Sequence, residues 1–172
     1  MMKEKINLWD YAGKILENTG KGVLMNTQAE GKVNAMTIGW GTLGIQWGKP
    51  IFIAFVRESR FTKELVDKNP EFTVSIPVGE VDKNILKVCG TLSGRDVDKI
   101  QQLGLHLEDG ETVSVPGIRE LPLTLECKVI YKQTQDLAAL TPEEVKRYYS
   151  GADTDNVHTA YYGLVTAAYI LK

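Results

Sequence analysis

Only two cysteines, Cys89 and Cys127, occur in the chain, and neither has a partner at CxxC spacing. A disulfide framework and a zinc knuckle are thereby excluded, and both thiols read as reduced and mostly buried. No apolar run approaches the roughly 20 residues needed to cross a bilayer. Neither sign of charge is in marked excess, since 20 basic and 22 acidic residues leave a formal net charge of −2. An extended nucleic-acid face needs many clustered cations, so any bound anion should be small and held locally. The opening residues Met1-Met2-Lys3-Glu4-Lys5 show neither the apolar core nor the cleavage site of a secretory leader. The expectation is a cytoplasmic protein with no membrane and no nucleic acid among its partners.

What the sequence does contain is an ordinary globular balance: 172 residues, 43% apolar and 24% charged. That size and composition fit one domain over residues 1–172. Residues 7–18 place Leu8, Tyr11, Ile15 and Leu16 at helical spacing, with Gly20 and Gly22 stopping the pattern. Residues 23–27 and 33–40 flank a Glu30-Gly31-Lys32 turn and read as a hairpin, and a further strand at 51–56 follows the Trp47-Gly48-Lys49-Pro50 turn. A short helix at 62–69 ends before Pro70, because the residue preceding proline avoids helical geometry. A strand at 71–78, helices at 81–88 and 96–103, and long strands at 123–133 and 158–171 complete the pattern. Between the last two strands, residues 140–150 carry Thr141 as N-cap, Pro142 at the first helical position and acids in the first turn. Short helices scattered among strands, without regular alternation of strand and long helix, predict a mainly β (α+β) antiparallel barrel with peripheral helices.

Gly39-Trp40-Gly41-Thr42-Leu43-Gly44 matches the dinucleotide fingerprint G-x-G-x-x-G letter for letter. The fingerprint works only where a long helix starts inside it, so that free amides and the helix dipole meet a pyrophosphate. Here Gly48 and Pro50 would break such a helix in its second turn. A nucleotide site of that kind is rejected, and the glycines read as bends where backbone approaches a neighbouring strand or a flat ligand.

Arg57-Glu58-Ser59-Arg60-Phe61-Thr62-Lys63 gathers three cations and two hydroxyls where the helix at 62–69 begins. Free amides and the positive end of the dipole favour an anion there, and a phosphate monoester is the natural occupant. The alternative is that Thr62 only caps the helix while the arginines are solvated or paired with Glu58 and Glu64, and spacing does not decide between the two. Ser93 and Asp96 fit a capping box in a second anion-friendly corner, Cys89-Gly90-Thr91-Leu92-Ser93-Gly94-Arg95.

Four stretches together resemble the flavin-reductase-like, FMN-binding split-barrel family, and within it the flavoredoxin-like branch. They are Asn34-Ala35-Met36-Thr37-Ile38-Gly39-Trp40, residues 57–62, Ser93-Gly94-Arg95-Asp96-Val97-Asp98-Lys99, and His158-Thr159-Ala160-Tyr161-Tyr162-Gly163. The resemblance implies a homodimer of split barrels with FMN in a groove near the subunit interface. By the same resemblance, Asn34, Met36, Thr37 and Trp40 would lie along the flavin ring, and Arg57, Ser59, Arg60 and Thr62 would hold the phosphate and ribityl chain. Lys99 would add a positive charge that raises the flavin potential where water is excluded. His158 would sit beside the ring or the reductant as the candidate catalytic residue. The chain departs from the family at Gly163-Leu164-Val165, where a Gly-Glu-Val is common. The 136–157 segment looks like a helical insertion, expected to cover the flavin where some relatives use a C-terminal aromatic segment.

No nucleophile is required, because the redox chemistry would belong to the cofactor. An imidazole with a near-neutral pKa suits His158 to shuttle a proton or bind the reductant; its alternative is a strand-opening histidine bonded to nearby backbone. Cys89 is most simply a buried thiol, although it could meet His158 in space. His106 reads as a loop residue without a partner, and of the three tryptophans only Trp40 is expected at the site. Two functions are compatible with this reading, beside a weaker third in which a split barrel binds another phosphate ligand or a haem. One is a flavin reductase using NADH or NADPH, with free flavin or a redox partner protein as acceptor. The other is a flavoredoxin-like electron carrier without a small-molecule substrate.

Overall fold

Extended backbone dominates the computed structural model of the protein, which describes residues 2–172. The chain opens with strand β1 (Lys3–Lys5), a 3-10 turn at Leu8–Tyr11 and helix α1 (Ala12–Lys21). Asn7 caps the 3-10 turn by accepting from the Trp9 amide, so the expected opening helix is split in two and runs on through Gly20. Two hairpins follow, β2 (Val23–Ala29) with β3 (Lys32–Ile38), and β4 (Gly41–Gln46) with β5 (Lys49–Arg57). Each is closed by a residue pair with positive φ, Glu30 (51°) and Gly31 (74°) in the first and Trp47 (53°) and Gly48 (69°) in the second. Two consecutive left-handed residues give the tight turn whose twist matches that of the paired strands.

Helix α2 (Phe61–Lys68) leads to β6 (Glu71–Ile76), followed by α3 (Lys83–Thr91) and α4 (Lys99–Leu103). A minor hairpin of β7 (Leu107–Glu108) and β8 (Gly117–Ile118) precedes β9 (Leu123–Thr134). Helix α5 (Pro142–Tyr148) lies between two 3-10 turns, and β10 (His158–Leu171) closes the chain. Thr141 caps α5 as its sequence requires. Asp82 and Asp98, however, cap α3 and α4, so the Ser93 and Asp96 pair makes no capping box. Ser93 instead receives the Arg95 amide in a tight turn.

The main sheet runs β3-β2-β6-β9-β10-β5-β4, with β1 also paired to β10, and every pairing is antiparallel. It curls around one apolar cluster to which Met25, Met36, Phe52, Phe72, Leu125 and Tyr161 contribute from strands along its whole length. Ile15 of α1 is wholly buried in the same cluster. Because α1 packs against both β4 and β6, it fills the gap between the two halves of the curled sheet, which is the split-barrel architecture. The opposite face of β2 and β3 packs through Leu24 and Ala35 onto α3 and α4, making a second cluster with Ile85 and Cys89. The β2–β3 hairpin is thus covered on both sides, and the loop between α3 and α4 is brought beside the start of α2.

The G-x-G-x-x-G stretch has no helix in it. Its last four residues are the start of β4, a strand the sequence reading did not anticipate. A Cβ at Gly41 would stand 2.8 Å from Phe52 Cζ and 3.2 Å from the Ile53 carbonyl, so the close backbone approach expected of these glycines is to the neighbouring strand. No helix among the described residues is long and apolar enough to cross a membrane.

One buried charge serves the fold rather than the site. Glu126 on β9 is fully buried and accepts from the Glu111 amide (2.7 Å), the Thr112 amide (2.6 Å) and the Thr112 hydroxyl (2.7 Å). Burial raises its pKa, but these donors outweigh burial and hold the carboxyl below its ordinary value. The loop between β7 and β8 is thereby pinned to the barrel. Glu126→Gln is expected to lower the unfolding free energy at pH 7 by about 1–3 kcal/mol in urea denaturation. The carboxylate contributes fully above the ordinary carboxylate range, and the contribution is lost as pH falls through the depressed folded value. The difference between parent and variant should therefore shrink in acid.

Candidate functional site

Two adjoining cavities open where β3, the end of β5, the start of α2 and the loop before α4 converge. One, of about 210 Å³, is walled by Met36, Ile38, Trp40, Phe55, Arg57 and His158. The other, of about 90 Å³, is walled by polar and cationic groups that include Asn34, Ser59, Thr62, Ser93 and Lys99. Met36 and Arg60 border both, so the pair forms one elongated site with an aromatic end and a cationic end.

At the cationic end Lys99 is only 4% exposed. Its ammonium lies 3.4 Å from the Cys89 carbonyl and 3.3 Å from that of Leu92, and among the described residues it makes no ion pair. Burial draws its pKa below the ordinary lysine value, and the charge of Arg60 acts in the same direction. Arg60, at the N-cap of α2, has no ion pair among the described residues either, and its side chain makes no capping hydrogen bond. Thr62, 1% exposed, accepts a hydrogen bond from Asn34 Nδ2 at 3.0 Å and keeps its own hydroxyl proton to give. Thr62 lies within the first turn of α2 and does not cap it; the Lys63 amide donates to the Arg60 carbonyl at 3.0 Å, and the amides of Phe61 and Thr62 remain available to an acceptor. Arg95 closes the corner by pairing with Glu64, donating to the Ser59 carbonyl at 3.0 Å and lying over the Phe61 ring. Gly94 passes so close that a Cβ there would stand 2.2 Å from Asn34 Oδ1. An uncapped helix start, two cations without counter-charges and a free hydroxyl proton make a seat for a small dianion.

The aromatic end is built on Trp40, whose ring centroid lies 4.9 Å from that of His158 and 5.0 Å, edge-on, from that of Tyr148. His158 opens β10 in register with Arg57 on β5. The residue is 7% exposed, with its Nδ1 2.8 Å from the Tyr149 hydroxyl. The near-neutral pKa expected from the sequence is not what the fold produces. Burial, with the charges of Arg57 and Arg60, lowers it to about 4, so the imidazole is neutral at physiological pH.

Arg57 walls the larger cavity beside Arg60 and is also engaged by the 136–157 segment. Its guanidinium donates to the carbonyls of Asn156 (2.8 Å) and Tyr148 (3.2 Å) and pairs with Asp153, so it fastens the 136–157 segment instead of facing the cationic corner. Neither arginine pairs with Glu58 or Glu64. Glu58 meets Lys63 and Thr159, and Glu64 meets Arg95. Ser59 borders the small cavity, with its amide donating to Asn156 Oδ1. Thr37 alternates with Asn34 and Met36 along β3, and its hydroxyl donates to the Leu86 carbonyl at 2.7 Å. Only its main chain is left to face the cavity.

Cys89 sits with Lys99 rather than His158, and burial raises its pKa. His106 does have a partner, with Nδ1 2.7 Å from Glu120 Oε1. The sequence reading missed Phe55, Arg95 and Tyr149 as site residues. Arg95 stood inside a quoted stretch beside Gly94, whereas nothing local to Tyr149 signals that it reaches His158.

Residues 17–170 match the family model described as the flavin reductase like domain. The chain is 34% identical over 99 residues to an uncharacterized protein of Archaeoglobus fulgidus, covering 58% of this chain and 55% of that protein. It thus spans little more than half the length of that curated relative. Its fold is similar to that of flavoredoxin from Methanosarcina acetivorans, with a TM-score of 0.65 and 25% identity, covering 88% of this chain and 68% of that one. An FMN-binding domain of a flavin reductases-like enzyme from Shewanella baltica gives a TM-score of 0.68 at 19% identity, covering 98% of this chain and 77% of that one. Because the family match extends from α1 into the end of β10 and takes in both walls of the cleft, the chain belongs to the flavin reductase like domain family.

Proposed function

We propose that the joined cavities hold FMN and that the protein is a small redox flavoprotein, a flavin reductase that oxidises NADH or NADPH. The observation that carries this reading is Lys99, a buried ammonium without an anion, beside an unpaired Arg60 and the uncapped start of α2. A buried charge left without a partner is expensive, and a phosphate monoester is the counter-charge that would relieve it. Lys99, Arg60, Ser59 and Thr62 would take the phosphate and ribityl end; Asn34, Met36, Trp40 and His158 would line the ring, with the Thr37 main chain beside them. When bound, FMN supplies hydride acceptance and electron transfer.

The chain's own part is to bind, orient and dry the site. Tyr148, carried by the 136–157 segment, stands edge-on to Trp40 and would shield that side of the ring. His158, neutral at physiological pH, is a hydrogen-bonding group there rather than a store of protons. The Arg60→Ala, Thr62→Ala double variant is expected to bind FMN at least about a hundredfold more weakly in fluorescence titration, since each lost bond to a charged group is worth about 1.5–3 kcal/mol. Unchanged affinity would remove the phosphate assignment.

The second reading, an electron carrier that exchanges electrons with a partner protein, is favoured by the likeness at 25% identity to a flavoredoxin. Steady-state oxidation of NADH or NADPH with added free flavin separates the two. Sustained turnover is the expected result, and a single slow reduction of bound flavin would give the carrier.

The same proposal includes a homodimer. Ile45 (71% exposed) and Trp47 (54% exposed) stand out on the β4–β5 hairpin, and Trp47 packs on Tyr131 and Tyr162 across β9 and β10. Exposed apolar groups clustered in this way mark association surfaces. Light scattering should give about twice the mass of one chain, and a monomer at micromolar concentration would count against it.

A further inference from the structure

Tyr149 is nearly buried, and its hydroxyl stands between two groups, 2.6 Å from Gln135 Oε1 and 2.8 Å from His158 Nδ1. A phenol has one proton to give, and an amide oxygen can only accept. The proton of Tyr149 therefore goes to Gln135, and the contact with Nδ1 needs a hydrogen carried by the imidazole. We propose that Tyr149 is a positioning residue that holds His158 as its Nδ1–H tautomer, leaving Nε2 as a bare acceptor at the wall of the aromatic cavity. Free histidine in water prefers the opposite arrangement, with hydrogen on Nε2, so the fold has to impose this one.

The surroundings agree with it. Among the described residues Nε2 has no partner, and the ring is fixed between Trp40 at 4.9 Å and Tyr149 at 5.6 Å. Burial first, and then the positive charges of Arg57 and Arg60 with Asp153 opposing them, keep the ring neutral. The backbone of Gln135 is held in place because its main-chain N–H donates to the His158 carbonyl at 2.9 Å, directly across the junction of β9 and β10. The consequence is a specificity. His158 accepts a hydrogen bond from an N–H or O–H group of whatever ligand enters the cavity, and it repels a carboxylate or a bare carbonyl. That meaning for redox chemistry rests on the flavin reading above, while the tautomer itself belongs to the protein alone.

The test is the ¹⁵N spectrum of histidine-labelled protein carrying His106→Gln, which leaves one imidazole to observe. At pH 7 the expected result is a pyrrole-type Nδ1 and a pyridine-type Nε2 in the parent, with a shift toward the reverse pattern in Tyr149→Phe. Gln135→Leu gives a second route, because removing the acceptor frees the Tyr149 proton for Nδ1 and should also move hydrogen to Nε2. A pyridine-type Nδ1 in the parent, or a pattern that neither variant moves, would overturn the proposal. No flavin is needed for these signals, so a protein that fails to bind FMN can still show the tautomer, and one that binds FMN can still refute it.

Discussion

The antiparallel pairing of β10 is the constraint on which the molecule hangs. This strand of 14 residues bonds to β9 along almost its whole length, to β5 through its first half and to β1 through its end. Its register sets His158 opposite Arg57, and two irregularities in the ladder let one strand serve both halves of the curled sheet. Backbone groups in a buried sheet must be paired, so the position of the site's histidine is fixed by the same hydrogen bonds that close the barrel.

Around that frame the two ends of the cleft have different physical origins. The aromatic end comes from strand termini and from the 136–157 segment, which packs Tyr148 and Tyr149 against Trp40 and His158. The cationic end comes from the second apolar cluster, which presses α3 and α4 onto the outer face of the β2–β3 hairpin. Packing Ile100 and Leu103 of α4 against that cluster carries Lys99 inward, so the hydrophobic effect supplies what holds an ammonium out of water. Stability and binding capacity are thus in opposition at this residue.

Much of the barrel could be read from residue pattern, and the reasons for the exceptions are physical. The hairpin around Glu30-Gly31, the strands at 123–133 and 158–171 and the capped helix after Thr141 all carry local signals, and all appear. Strand β4 does not, because glycines at 41 and 44 weaken strand propensity while a tight turn and cross-strand packing override it. The cationic stretch from Arg57 to Lys63 was legible as cations and hydroxyls gathered at a helix start, but the division of labour within it was not. Arg57 and Arg60 both wall the larger cavity, and that Arg57 also ties down the 136–157 segment depends on chain returning from some 90 residues away, as its bonds to Tyr148 and Asn156 show. Lys99 could be read as a positive charge, whereas its burial follows from tertiary packing that no local spacing encodes.

Arg57 joins two properties that are usually separate. Its guanidinium fastens the 136–157 segment beside the aromatic end and, together with burial, suppresses protonation of His158. A single side chain thus carries both the mechanical attachment of a distant stretch of chain and part of the electrostatic climate of the ring next to it.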